Sequence, residues 1–219
     1  MSQVTSNEIL LRVNTLLNDT AFVRWPKLEL LDYLNDAQRA IVLRRPDAYC
    51  ADIDNFKCVA GTKQSLPADA LRLIDIPRNS TGRAIKGSYD RIILDDSYPE
   101  WYAGNSASVA ELFIYDERNP KTFYLYPGVL IDTELTIVYS KAPPSITLAE
   151  SDGGALMELD DIFVNATIEW VLYRAYMKDA EYAANPNKSQ MYLNAFKTQL
   201  GEKSQADEVM ASEVVRSRG

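Results

Sequence analysis

Three carboxylates near position 160 are the residues best placed to do chemistry. Glu158, Asp160 and Asp161 lie close together in the chain, and two carboxyl groups roughly 5–10 Å apart are what glycoside hydrolysis requires. Acidic residues at the start of a helix more often complement the partial positive charge of the helix N-terminus. We therefore expect a capping role, and glycoside hydrolysis is the catalytic alternative.

The rest of the composition narrows the chemistry further. The sequence contains no histidine, which removes histidine-activated nucleophiles and imidazole metal sites. The spacing of its two cysteines, Cys50 and Cys58, is poor for a zinc site. We expect both to be thiols rather than a disulfide, because so few cysteines indicate a protein made in a reducing compartment. No glycine-rich phosphate loop is visible. We predict no catalytic residue, no metal and no cofactor.

Charge and hydropathy limit the partners. The net charge of −8 argues against a protein that grips DNA, because phosphate contacts need clustered Lys and Arg. It leaves room for DNA that passes nearby without being bound. No run of about 18 apolar residues occurs, and the first residues lack a basic region followed by an apolar core. We expect neither a membrane span nor a secretory signal.

A second group of candidate residues is aromatic. In the stretch "KTFYLYP", Phe123 and Leu125 fall on one face of a strand, and Tyr124 and Tyr126 fall on the other. Base stacking is disfavoured because the neighbouring charges are mostly acidic, while a sugar-binding face stays open. We favour a core face plus a tyrosine face for another protein, since tyrosine is enriched at interfaces.

Helical elements at both ends must position these residues. Thr5 and Glu8 match a capping box, and a second helix begins near Pro26 with an apolar stripe. A helical pattern returns from about 156, is broken at 185–187, and resumes up to Gly201, a plausible stop. The members of the second helix's stripe are Leu30, Leu34, Ala37 and Ile41.

Short β-type runs fill the middle of the chain. They lie between about 52 and 144, are separated by turns, and include "RAIKG", "DRIILD" and "TFYLYP". No helix separates them, so a sandwich or barrel is expected rather than a parallel sheet. The predicted fold class is α+β, a helical bundle formed by the N- and C-terminal helices with an inserted antiparallel β sandwich or barrel-like region. The predicted parts are 1–51 with 150–200 for the bundle, 52–149 for the insertion, and 201–219 for a C-terminal extension.

The order of these segments resembles the head-to-tail adaptor, or connector, proteins of short-tailed bacteriophages. The likeness covers roughly residues 7 to 200. It rests on composition and order rather than on catalytic motifs. The segments that carry it are "WPKLELLDYLNDAQRAIVLRRPDA", "LPADALRLIDIPRN", "YPEWYA", "FIYDERNPKTFYLYP", "TELTIVYSKAPP" and "DDIFVNATIEWVLYRAYMKDAEYAANP".

The resemblance implies a structural virion protein. Such adaptors form a ring, typically of twelve copies, beneath the portal protein, extend the DNA channel, and offer a platform to the tail nozzle and tail fibre proteins. The expected location is the neck of the virion, after assembly in the host cytoplasm. The alternatives are a virion-associated peptidoglycan hydrolase built on the acidic residues near position 160, and a glycan-binding tail module. The residues expected to contact tail proteins are Tyr124, Tyr126, Trp101 and Tyr102.

The C-terminal extension is the expected portal contact. It offers too little apolar surface to fold alone, so we expect it to stay flexible until bound. Two apolar pairs would fill a groove on the partner, and two arginines would meet acidic groups there. The predicted portal contacts are Val209, Met210, Val214, Val215, Arg216 and Arg218.

Overall fold

The computed structural model describes residues 3–104, 106–178 and 185–216, with the backbone alone at 185 and 202–216. The chain divides into two compact units. The helical unit comprises Met1–Ala48 and Pro143–Gly219, and the β unit comprises Tyr49–Ala142. The predicted α+β class is confirmed, since helices lie at both ends of the chain and antiparallel strands lie between them.

The described residues form six helices and six strands. The helices are α1 (Ser6–Leu17), α2 (Lys27–Arg44), α3 (Arg91–Ser97), α4 (Leu148–Asp152), α5 (Val164–Lys178) and α6 (Asn185–Arg216). The strands are β1 (Cys50–Lys57), β2 (Gly61–Ser65), β3 (Ala70–Asn79), β4 (Leu112–Tyr115), β5 (Thr122–Val129) and β6 (Glu134–Lys141). Short 3₁₀ turns span Pro46–Ala48, Trp101–Ala103 and Asp161–Phe163.

Local side-chain chemistry sets the start of α1. The Thr5 hydroxyl accepts a hydrogen bond from the Glu8 backbone N–H at 3.1 Å, and the Glu8 carboxylate accepts one from the Thr5 N–H at 2.8 Å. The predicted capping box is confirmed. The hydrogen bond from the Thr5 backbone N–H lowers the pKa of Glu8. The cap fixes where the helix begins, and Ile9 and Leu10 then point into the core.

The stripe predicted on α2 is buried along its whole length. Pro26 stands immediately before the helix, where its missing N–H leaves no intrahelical bond unmade. On the same helix, the Asn35 side chain donates to the Ile146 carbonyl and accepts from the Ile146 N–H, both at 2.9 Å. This pair of bonds ties α2 to the segment that leads into α4.

The last helix differs from the prediction. The predicted break at 185–187 is wrong in its position, because these residues form the first turn of α6, which begins at Asn185. The helix runs on to Arg216, so Gly201 is not its stop. A glycine inside a helix costs about 1 kcal/mol relative to alanine. The helix-favouring residues that follow, such as Glu202, Lys203 and Ala206, offset that cost. Ordering of the extension on binding stays a prediction.

The β unit contains two three-stranded antiparallel sheets, β1-β6-β3 and β2-β5-β4. Both contribute to one cluster of buried side chains, which we call the inner core. Its members are Cys58, Leu66, Ala70, Leu73, Ile76, Ile85, Ala110, Phe113, Phe123, Leu125, Val129, Leu135, Ile137 and Tyr139.

The two ends of the β unit are neighbours in space. Cys50 at the start of β1 pairs with Ser140 near the end of β6. The Lys141 N–H donates to the Tyr49 carbonyl at 3.1 Å, and the Lys141 ammonium lies 5.3 Å from the centre of the Tyr49 ring. The chain therefore enters and leaves this unit along paired backbone.

The prediction of a strand at "DRIILD" is wrong, because this segment forms α3. A short apolar run carries no periodicity that separates strand from helix. The Asp90 carboxylate accepts a hydrogen bond from the Ile92 N–H at 2.9 Å and caps the helix. "RAIKG" is not a strand either; it touches the sheets through isolated bridges at Ala84 and Lys86.

Candidate functional site

The carboxylates near position 160 hold backbone together. Asp160 caps the turn before α5 and accepts from the Ile162 N–H at 3.1 Å. The Asp161 carboxylate accepts from the Gln3 N–H at 3.0 and 3.1 Å and from the Val4 N–H at 3.3 Å. The capping role is confirmed for Asp160, and Asp161 fastens the N-terminal segment to the start of α5.

Other acidic residues also have partners within the fold. Glu150 forms a capping box with Thr147, and the hydrogen bond from the Thr147 backbone N–H lowers the pKa of Glu150. The Asp152 carboxylate forms an ion pair with the Lys27 ammonium. The Glu150 carboxylate held in this way stabilises the start of α4.

The described residues offer neither a cluster of metal ligands nor a membrane-spanning helix. Among them, no cluster of three or more His, Cys, Asp or Glu side chains could hold a metal ion. In the same residues, no helix is both long and apolar enough to cross a membrane. Cys50 and Cys58 are not joined by a disulfide, as predicted. Cys58 lies in the inner core, where burial raises the pKa of its thiol to about 12.

The alternation predicted for β5 is confirmed. Phe123 and Leu125 are fully buried in the inner core, whereas Tyr124 and Tyr126 are half-buried on the opposite face of the strand. The residues between β3 and β4 fold over that face, because Leu94 of α3 and Trp101 pack there in a second, smaller cluster.

Five aromatic residues gather on this second face: Tyr98, Trp101, Tyr102, Tyr124 and Tyr126. We call them the outer aromatic cluster. The Trp101 ring makes edge-to-face contacts with Tyr102, at 5.7 Å between ring centres, and with Tyr124, at 6.1 Å. Tyr98 and Tyr126 lie 6.2 Å apart. These separations lie in the favourable range for aromatic pairs.

Hydrogen bonds fix the cluster to the sheet. The Trp101 indole N–H donates to the Asp95 carboxylate at 2.6 Å, and the Arg91 guanidinium lies 3.7 Å from the other oxygen of Asp95. The Thr62 hydroxyl donates to the Tyr102 backbone carbonyl at 3.0 Å. These bonds hold the Trp101 ring and the Tyr102 backbone against the rest of the β unit.

The four residues predicted for the tail-protein interface lie together in the structure, but they differ in exposure. Trp101 is 6% exposed and supports the others, whereas Tyr102 is 54% exposed. Sequence reasoning missed Tyr98, which is 59% exposed. Its signal was its place in "YPEWYA", beside Trp101.

The predicted portal contacts fall largely beyond what the structure describes. Residues 209, 210 and 214–216 lie on the backbone of α6, and their side chains are outside the described part of the chain. Arg218 lies outside the described residues altogether. The portal set therefore stays a prediction.

Further apolar side chains are exposed on α3. Ile92 and Ile93 of α3 are exposed, and the carboxylate-bearing Asp96 and Glu100 are exposed in the same stretch. Large apolar residues exposed together, with a polar rim, are typical of a protein-binding surface. This arrangement is suited to docking rather than to bond making or breaking.

Comparison with known protein families decides what kind of protein this is. The family model described as SU10 adaptor protein matches residues 4–218, which span both units. The chain belongs to the SU10 adaptor protein family. No curated protein matches the chain.

Membership of the SU10 adaptor protein family confirms the resemblance to phage head-to-tail adaptors. An SU10 adaptor protein is a structural protein of the phage, and its place is the neck of the virion. Adaptors associate with other head and tail proteins of the phage. The family thus implies a structural rather than a catalytic role.

Proposed function

We propose that this adaptor forms a ring, of twelve copies, that binds the portal protein and extends the DNA channel. The ring offers a platform to the tail nozzle and tail fibre proteins, and it assembles in the host cytoplasm. The observation that carries the proposal is the family match over residues 4–218. The outer aromatic cluster supports it, since rigid exposed aromatics anchor protein interfaces.

The tail-facing contact is assigned to the outer aromatic cluster. Tyr98 and Tyr102 are more than half exposed while their rings stay fixed against Tyr126 and Trp101. An aromatic side chain that is already ordered in the free protein loses little conformational entropy on binding. This surface therefore suits a tail protein better than the flexible, charged side chains elsewhere on the chain would.

The portal-facing contact is assigned to the end of α6. The backbone is helical through Arg216, so Met210 and Val214 lie one turn apart. A helix that lays apolar residues into a groove is a common mode of recognition. Val209 and Val215 extend the apolar set, and Arg216 and Arg218 would meet acidic groups on the portal.

Reconstitution with the portal tests the ring directly. Purified full-length chain is mixed with portal-containing capsids, and bound copies are counted by cryo-electron microscopy. The proposal expects twelve copies around one portal. A monomer that never binds the capsid would contradict it, as would a ring that forms only at the far end of the tail.

Truncation after Lys203 tests the portal contact. The shortened chain should keep its melting temperature but fail to bind portal-containing capsids. A matched control carries Ala206→Ser, which keeps the full length and the helix. If the shortened chain binds as tightly as the control, the portal contact lies elsewhere on the helical unit.

DNA binding and cell-wall clearing test the remaining parts of the proposal. With a net charge of −8, the chain should bind duplex DNA weakly even at low salt; a steep salt dependence would indicate many phosphate contacts. Purified protein should not clear cell-wall material. Clearing that Glu158→Gln or Asp161→Asn lowers by ~10²-fold, the effect of losing an acid–base group, would identify an enzyme.

A further inference from the structure

A groove opens beside the outer aromatic cluster. Its volume is about 360 Å³, and aromatic and proline side chains make up much of its lining. Glu100 is the charged residue in that lining. Its lining includes Tyr98, Glu100, Trp101, Tyr126 and Pro127; we call this the aromatic groove.

The groove combines ring faces with negative charge. Residues 97–101 and 104 form one side of it. The longer stretch 88–104, to which they belong, carries four acidic residues and one basic residue, a net charge of −3. The basic residue, Arg91, is already within ion-pair distance of Asp95. Aromatic faces attract cations through their quadrupole, and a carboxylate beside them adds to that attraction.

Arginine fits this combination better than lysine does. Its planar guanidinium stacks on aromatic faces and can donate two parallel hydrogen bonds to one carboxylate. The chain uses the same contact internally, since the Arg24 guanidinium lies 5.2 Å from the Trp25 ring centre and the Arg44 guanidinium lies 5.1 Å from that of Phe196. A nucleotide or another anion would be repelled by Glu100.

We propose that the aromatic groove binds an arginine side chain presented by a tail protein. The guanidinium stacks against the Tyr98 and Tyr126 rings and forms an ion pair with Glu100. This inference rests on the proposed role of the β unit in tail docking, and it names the chemistry that the partner must supply. Trp101 is a supporting wall, because its indole N–H is held by Asp95.

Fluorine NMR on the full chain tests the proposal without any tail protein. The three tryptophans are replaced by 5-fluorotryptophan. The Trp101 signal is assigned as the one missing from the spectrum of Trp101→Phe. If that variant does not fold, Trp25→Phe and Trp170→Phe assign the Trp101 signal by elimination. The probe is N-acetyl-arginine amide, and its matched neutral control is N-acetyl-citrulline amide. The Trp101 signal should shift and saturate with the arginine probe, which should bind roughly 3- to 30-fold more tightly than the citrulline probe, the range that one cation–π contact supplies.

Variants at two exposed positions sharpen the test. Tyr98→Leu should weaken the arginine probe by several-fold, whereas Tyr98→Phe, which keeps the ring, should not. Glu100→Gln should weaken it by several-fold and remove most of its dependence on salt. Both positions are exposed, so these variants should melt at the temperature of the parent chain.

Three results would overturn the proposal. They are equal binding of the citrulline probe, a shift confined to Trp25 or Trp170, and saturation by N-acetylglucosamine but not by the arginine probe, which would indicate a glycan site. None of them tests ring assembly. A chain that assembles on the portal but ignores the arginine probe would leave the proposed function standing and remove only this inference.

Discussion

The two faces of β5 carry side chains that differ in burial. On one face, Phe123 and Leu125 are fully buried in the inner core. On the other, Tyr124 and Tyr126 are half-buried beneath α3 and Trp101. The phenylalanine has no polar atom to satisfy, whereas each tyrosine keeps a hydroxyl that can stay in contact with water.

Under the proposed function, one strand would serve both stability and docking. The inner face supplies apolar area that folding removes from water, so its side chains determine the free energy of unfolding. The outer face keeps part of its aromatic area exposed, so that area remains for a partner. Substitutions on the two faces should therefore separate stability from assembly.

Phe123→Ala should have the largest effect. Phe123 is completely buried between the two sheets, and truncation of a buried Phe leaves a cavity that lowers the free energy of unfolding by about 3–5 kcal/mol. Urea denaturation followed by circular dichroism measures the loss. Phe123→Leu, which fills more of the space, should lose less than half as much. A loss below about 1 kcal/mol for the alanine variant would show that the inner core does not control stability.

The thiol of Cys58 should be labelled about 100-fold more slowly than that of Cys50. This ratio of rates corresponds to a free-energy difference of ~2.7 kcal/mol. Cys50 is exposed and Cys58 is buried. The thiolate is the reactive form, and burial raises the pKa of Cys58 to about 12, so Cys58 should react slowly at pH 8. Labelling with a chromogenic disulfide, with Cys50→Ser and Cys58→Ser as single-thiol chains, measures both rates. Similar rates would mean that the inner core opens readily.

Trp101→Phe should have an intermediate effect of about 1–2 kcal/mol on the free energy of unfolding. The change removes the indole N–H that donates to Asp95 at 2.6 Å, and a hydrogen bond to a charged group contributes ~1.5–3 kcal/mol before solvent screening at this exposed carboxylate. Asp95→Asn is the control, because its amide oxygen can still accept the bond. If Trp101→Phe is as stable as the parent chain, the outer aromatic cluster is not anchored through Asp95.

Tyr102→Ala should have the smallest effect on stability, about 0.5 kcal/mol or less. More than half of this side chain is exposed, and its hydrogen bond to Thr62 uses the backbone carbonyl, which alanine keeps. Assembly of tail proteins onto the adaptor should nevertheless fall, as measured by co-sedimentation, and Tyr102→Phe should restore it. A variant that unfolds early but still docks would reverse the assignment of the two faces.

The sequence predicted those features that short-range periodicity controls. Burial every second residue placed Phe123 inside and Tyr124 outside, and the capping box at Thr5 marked the start of α1. Such patterns are read within one element, since a strand repeats every two residues and a helix every 3.6. The acidic residues near 160 were interpreted in the same way, from their position at a helix start.

Features that depend on distant contacts could not be predicted. Residues 91–97 form a helix that buries Leu94 against the outer face of β5, and no local pattern records that face. For the same reason, the sequence placed Trp101 on the surface, although it is 6% exposed. Gly201 is a different case, because the helix-favouring residues that flank it continue α6 through a position where a glycine often ends a helix.

The paired backbone at Tyr49 and Lys141 has a consequence for how such adaptors diversify. A segment whose first and last residues are hydrogen-bonded neighbours can be lengthened, shortened or exchanged without moving the points at which the rest of the chain joins it. We expect the β unit to be exchanged between related adaptors as one segment during evolution. A phage that acquires new tail proteins could then alter its outer aromatic cluster while the helices that flank the β unit in sequence keep their own fold.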